Sequence, residues 1–337
     1  MEHDDADTPV VRQQEFTCEG PIDIWVALDS GRLDIMLGHS PEKGPDQGPD
    51  QGPDQGPDQG PDQGPEKSTA PQVVVTRISP DVTDQPPWHG GISGLLTWLG
   101  EQTGTTPLGE LAAEAARHTV IDFTGRRLTV RAPREYPLRT VPLTIQVTAP
   151  PGSSINARGG SADIAITGVA ANVDAATGSG QVQAQRCTGT AEVRTGTGDV
   201  RLGTVAGRLR VRTGSGRIDV TSVEGTESSG TVHTGSGDVR LGSVNLGTAK
   251  RDISARTGSG DLTVVDARAG GLELMTGSGQ LRVGIHSGVL AELDVSSGSG
   301  RARSDLPVGG PPAEGDVVLR VRARTGSGDA LVTAAPS

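Results

Sequence analysis

The segment Arg194–Leu202, RTGTGDVRL, is written again and again along the chain. Close copies of its Thr-Gly-x-Gly centre begin at Thr177, Thr195, Thr213, Thr234, Thr257, Thr276, Ser297 and Thr325, and a worn copy (GGSA) begins at Gly159. Successive starts lie 18, 18, 18, 21, 23, 19, 21 and 28 residues apart. A period of about twenty, with drift confined to extra loop residues, marks a solenoid in which each repeat is one supersecondary unit.

Within a repeat, the residues two and four before the Thr are mostly apolar: Ala191 and Val193, Leu209 and Val211, Leu272 and Leu274, Leu293 and Val295, Val321 and Ala323. After the second glycine the alternation resumes, as in Val200 and Leu202, Ile218 and Val220, or Leu281 and Val283. Period-two alternation over about five residues reads as a half-buried strand. One strand therefore runs in, the chain turns at Thr-Gly-x-Gly, and a second strand runs out. The turn glycines are Gly178, Gly180, Gly196, Gly198, Gly214, Gly216, Gly235, Gly237, Gly258, Gly260, Gly277, Gly279, Gly298, Gly300, Gly326 and Gly328. Positive φ at these positions is the expected reason for glycine there. Neither strand buries its apolar face alone, but stacked copies do. The sequence thus predicts an all-β, parallel β-solenoid, with nine coils making a rod roughly 40 Å long.

The formal charge of −11 is unevenly spread. Residues 1–70 hold 16 Asp or Glu against 4 Lys or Arg, whereas the rest hold 25 against 26. A neutral solenoid lacks the net basic footprint that nucleic acid requires, so nucleic acid is not an expected partner. Cys18 and Cys187 form no disulfide framework and no metal-spaced cluster. The acidic opening MEHDDADTPV shows no basic n-region, and no apolar run is long enough to span a bilayer, so a cytoplasmic, soluble protein is expected.

Residues 1–14 read as a loose tail, 15–150 as N-terminal strands and a cap, and 151–335 as the repeats. Ile22–Leu28 and Arg32–Leu37, joined by Asp29-Ser30-Gly31, read as a β-hairpin leader. Five consecutive Gly-Pro-Asp-Gln units fill 44–63, within a low-complexity loop over about 41–70 expected to be disordered. Ile92–Leu99 and Pro107–His118 read as two short helices in an insert over about 92–118. Trp88, Leu95, Leu96, Trp98 and Leu99 would fold back over a solenoid end. Val73–Ile78, Thr119–Phe123, Arg127–Ala132 and Leu143–Ala149 are further predicted strands, the middle pair joined by a turn at Thr124-Gly125-Arg126.

Together the segments GPIDIWVALDSGRLDI (20–35), TVIDFTGRRLTVRAP (119–133), LTIQVTAPPGSS (143–154), the TGSGDVRL units and LRVGIHSGVLAELDVSSGSG (281–300) resemble a bacterial β-strand-repeat family of unknown function that carries an adhesin label. The resemblance implies a right-handed β-solenoid, and it implies no catalytic residue.

Gly-x-Gly-Asp turns suggest calcium, but Asp199, Asp238, Asp261 and Asp329 share their position with Gln181, Gln280, Arg217 and Arg301, and arginine breaks a ladder of oxygen ligands. No metal or other cofactor is therefore expected. Just before the turns stand Arg158, Arg194, Arg212, His233, Arg256 and Arg324, a stripe interrupted by Ala176, Met275 and Ser296. Such a stripe can hold a polyanion, or it can be a solvated, partly paired face. A sugar-cleaving enzyme would need a carboxylate pair in a groove and aromatic platforms, yet residues 159–337 contain no Trp, Tyr or Phe. His39, His89, His118, His233 and His286 show no partner in the sequence. The resulting expectation is a non-catalytic scaffold or binding protein, adhesin-like, whose partner is an unidentified protein or polymer. The alternatives are a carbohydrate-active β-helix enzyme and a solenoid that polymerises end to end.

Overall fold

The computed structural model describes residues 12–38, 72–80, 107–226, 228–247, 251–307 and 318–336. The Gly-Pro-Asp-Gln tract, the helix expected at 92–99 and the Trp88–Leu99 apolar set lie outside these residues.

Each coil contributes a strand to two parallel ladders. Ladder A holds the strand before each Thr-Gly-x-Gly corner and ladder B the strand after it. In chain order the elements are β1 (Arg12–Cys18), β2 (Asp23–Leu37), β3 (Gln72–Pro80), helix α1 (Pro107–His118), β4 (Val120–Thr124), β5 (Arg127–Arg131), β6 (Leu143–Ala149), β7 (Ser154–Ala170), β8 (Val173–Thr177), β9 (Val182–Cys187) and β10 (Ala191–Thr195). They continue with β11 (Val200–Val205), β12 (Arg208–Thr213), β13 (Ile218–Glu224), β14 (Ser229–Ser236), β15 (Val239–Asn245) and β16 (Asp252–Ser259). The last are β17 (Leu262–Ser278), β18 (Leu281–Ile285), β19 (Ala291–Ser297), β20 (Ala302–Ser304), β21 (Leu319–Ser327) and β22 (Ala330–Ala334).

Ladder A stacks β5, the first half of β2, the first half of β7, then β8, β10, β12, β14, β16, the second half of β17, β21 and β19. Ladder B stacks β6, the second half of β2, the second half of β7, then β9, β11, β13, β15, the first half of β17, β18, β22 and β20. At a strand spacing of about 4.8 Å, this stack is roughly 50 Å long. Inward residues of both ladders, among them Val193, Val200, Leu209, Val211, Ile218 and Val220, meet in one apolar core. Full burial of each such side chain is worth about 1.5–3 kcal/mol, which no single coil could collect.

Three expectations are corrected. The segment read as a hairpin leader is a coil: both halves of β2 pair in parallel with β7, and they do not pair with each other. Gly31 (φ 114°) turns the corner between them, where an added Cβ would lie 2.1 Å from the Leu143 carbonyl oxygen. The ladders also begin before residue 151, since β5, β6 and β2 are rungs of the same stack. Residues 12–14 already belong to β1, not to a tail.

The coils are not stacked in chain order at either end. β2 lies between the coil of β5 and β6 and the coil of β7. At the other end β21 and β22 lie between the coil of β17 and β18 and the coil of β19 and β20.

The first coil is finished by antiparallel strands, β4 on β5 through the expected Thr124-Gly125-Arg126 turn, and β3 then β1 on β6. Helix α1 packs on β3 and β6 and buries Ala115 and Ala116 in the core, so the expected helix at 107–118 covers this end. Among the described residues no helix is long and apolar enough to cross a membrane.

Candidate functional site

The corners set the geometry of everything the ladders display. The Thr195 hydroxyl accepts from the Gly198 amide (3.0 Å) and donates to the Gly180 carbonyl of the preceding coil (3.3 Å). The same donation to the neighbouring coil recurs from Thr177, Thr213, Thr234, Thr257, Thr276, Thr325 and Ser297. These threonines are buried, and the hydroxyl ladder gives the corner carbonyls a partner inside the stack.

Glycine at the corners answers to close packing, not to positive φ. Of the sixteen corner glycines only Gly279 (φ 156°) and Gly328 (φ 137°) leave the ordinary region. A Cβ on Gly198 would instead stand 1.9 Å from the Gly180 oxygen, and one on Gly216 would stand 2.1 Å from the Gly198 oxygen. The corners of successive coils touch backbone to backbone, which holds the coils in register.

The corner aspartates have a structural occupation. Asp199 Oδ1 accepts from the Arg217 amide (2.8 Å), Asp238 from the Asp261 amide (3.0 Å), Asp261 from the Gln280 amide (2.8 Å) and Asp329 from the Arg301 amide (2.9 Å). An Arg or Gln at the next rung is thus no interruption, because the bond goes to its backbone. Among the described residues no group of three His, Cys, Asp or Glu side chains could hold a metal ion.

With the corners fixed, outward side chains fall into straight columns along ladder A. The column before the Thr brings together the expected stripe, in the order Arg158, Ala176, Arg194, Arg212, His233, Arg256, Met275, Arg324 and Ser296. Its ends are neutralised. Arg158 forms a two-pronged ion pair with Asp174 (2.6 and 3.0 Å), and Arg324 reaches Asp294 at 3.4 Å. Arg194, Arg212, His233 and Arg256 remain as four consecutive rungs lining a groove of about 670 Å³, with Arg210 beside them. Arg194 and Arg210 both pair with Glu192, Arg210 at 3.9 Å, and Arg256 pairs with Glu273 at 3.0 Å. Arg212 and His233 have no ion-pair or hydrogen-bond partner among the described residues.

Arg210 was not among the stripe residues read from the sequence, and its place two residues ahead of Arg212 on the same strand face is the signal that could have found it. His286 was read as partnerless, yet its Nδ1 lies 2.9 Å from Asp266 Oδ1, while Arg268 Nε donates to Oδ2 at 2.7 Å. Burial works to raise the Asp266 carboxyl, but hydrogen bonds from Arg268 and His286, and their charges, outweigh it and hold the group below the usual carboxylate range. That trio sits outside the groove and brings no nucleophile with it. Burial raises both thiols: Cys18 against the opposing charge of Arg126, and Cys187 against backbone hydrogen bonds. Each therefore stays protonated and inert near neutral pH.

A family model described as Toastrack DUF4097 matches residues 112–332. Among solved structures, the chain is similar to a provisionally assigned adhesin from Bacteroides fragilis, with 9% identity, a TM-score of 0.38, and 95% of this chain and 97% of that one covered. It is also similar to a provisionally assigned cell adhesion protein from Clostridium sporogenes, with 9% identity, a TM-score of 0.23, and 96% and 98% covered. A search of curated proteins finds no match.

Proposed function

The chain belongs to the Toastrack DUF4097 family, and starting there we propose that it is a non-catalytic scaffold that binds an extended partner along the outer face of ladder A. The observation that carries this reading is the straight, in-register column Arg194, Arg212, His233 and Arg256 on a rigid parallel ladder. Regular parallel strands fix the spacing of the side chains before a ligand arrives, which lowers the ordering cost of binding. The reading is supported by the corner aspartates, each of which uses one carboxylate oxygen to hold a backbone amide of the adjacent coil, a structural task. End-to-end polymerisation is less well supported, because the first coil is closed by antiparallel strands and α1, which present no parallel rung to a second copy.

The test is retention without turnover. Immobilised protein is challenged with a panel of polysaccharides and soluble proteins, and bound material is recovered and sized. One class should be retained at unchanged chain length, and retention should be lost in the double variant Arg194→Glu, Arg212→Glu. Release of reducing ends in proportion to protein would make it an enzyme, and equal retention by the double variant would move binding to another surface.

A further inference from the structure

Columns on both ladders alternate in charge, and one column of ladder A does not. On ladder B, Arg201, Asp219 and Arg240 occupy three successive rungs, so the sign alternates. Toward the far end of ladder A, Glu273, Arg322 and Asp294 alternate likewise, and Arg322 reaches Asp294 at 3.3 Å. In the middle of ladder A, Arg194, Arg212, His233 and Arg256 follow one another with no carboxylate in the column. Like charges directly opposite on neighbouring strands are destabilising. A face arranged for stability alone would alternate here as it does elsewhere, and the Arg212 guanidinium between Arg194 and His233 is left available to an outside anion.

We propose, resting on the binding-scaffold reading, that this column and Arg210 hold a single linear polysaccharide with one carboxylate or sulfate on each sugar, lying lengthwise along the stack. Four rungs at about 4.8 Å give a row of cations about 14 Å long. A sugar unit is about as long as a coil is thick, so consecutive acidic groups meet consecutive rungs. An extended acidic peptide shows side chains on one face only every second residue, about 6.7 Å, and drifts out of step. Single-stranded nucleic acid calls for aromatic stacking platforms, and the chain has no Trp, Tyr or Phe beyond Tyr136. Duplex nucleic acid presents one phosphate about every 3.4 Å on each strand and needs a broad basic face, whereas this row is flanked by Glu192 and Glu273. Arginine suits the task because its planar fork matches a carboxylate or sulfate and remains charged at any physiological pH.

The experiment measures binding of the full chain, by fluorescence anisotropy, to labelled oligogalacturonides of two to ten sugars and to dextran sulfate. Neutral dextran, polyglutamate and oligothymidylate serve as the other arms. Affinity is expected to climb with length to about four or five sugars and then level off, to fall as salt is raised, and to be absent for dextran. Preference for galacturonide over dextran sulfate, or the reverse, assigns the acidic group. Arg212→Glu is expected to weaken binding at least tenfold and His233→Arg to tighten it severalfold, both variants giving the wild-type circular dichroism spectrum. Absence of length dependence, indifference to Arg212→Glu, or tighter binding of polyglutamate or oligothymidylate would overturn the proposal. If another class from the retention panel still binds in a manner abolished by Arg194→Glu and Arg212→Glu, the acidic polysaccharide is wrong and the scaffold reading stands. If neither the probes nor the panel respond to those substitutions, both fall.

Discussion

The Thr213 hydroxyl donates to the carbonyl oxygen of Gly198, 3.3 Å away on the neighbouring coil. Thr213 is 2% exposed, so its hydroxyl makes this bond away from solvent. Thr213→Val keeps the shape and removes the donor, which should cost about 1–2 kcal/mol, while Thr213→Ser should cost less. Urea titration checks this through the midpoint at unchanged slope. A valine variant as stable as wild type would show that the hydroxyl ladder contributes nothing.

Gly198→Ala should be worse than any exposed-turn substitution, because the new methyl would lie 1.9 Å from the Gly180 oxygen. The backbone of a stacked coil cannot withdraw without breaking rungs, so a loss of about 1–3 kcal/mol or more is expected. Gly38→Ala is the control, since no atom stands within 4 Å of its would-be Cβ. Equal melting temperatures for the two variants would refute close packing as the reason for corner glycines.

Asp266 supplies a pH test. Its folded value is depressed, so its contribution to stability is fully present above the pH where the unfolded carboxyl titrates, about 4, and is lost as pH falls through the lower folded value. Its partners are roughly half exposed, which limits the effect to at most about 1 kcal/mol. Asp266→Asn should melt slightly below wild type at pH 7, and the gap should close below about pH 4. A gap that persists or widens in acid would mean that the carboxylate is not the stabilising form.

Val332 lies on the last strand in chain order among the described residues, yet β22 is paired on both sides, with β18 and with β20. Its amide should therefore exchange with solvent as slowly as that of Val220 in the middle of the stack. Exchange at the rate of an unpaired edge strand would contradict the insertion of β22 between β18 and β20.

Strand positions, the inward set and the corners were all readable before any coordinates, because period-two alternation states which residues face the core wherever the strand is placed. The order of coils was not readable. Val321 and Ala323 alternate like Leu293 and Val295, so the pattern does not say which coil lies next to Leu272 and Leu274; the structure puts Val321 there and sets Leu293 one rung further out. Asp29-Ser30-Gly31 misled for a similar reason, since a glycine corner serves a hairpin and a coil equally well. The stripe was legible as a column, but the pairing that neutralises its ends depends on Asp174 and Asp294, whose side chains reach across rungs, and leaves only Arg212 and His233 in the middle without a partner among the described residues. The link between Asp266 and His286 joins turns of unequal length and leaves no periodic trace.

The inserted final coil bears on how the protein is made. A ribosome delivers residues in order, and an ordinary repeat array could add each new turn to the last as it emerges. Here the segment 291–304 appears before 319–334 but cannot settle against 271–285, because that berth belongs to a segment still inside the exit tunnel. Completion must wait for that later segment to emerge, and a nascent polypeptide halted ahead of it would be left with a gap in its middle instead of a missing tip.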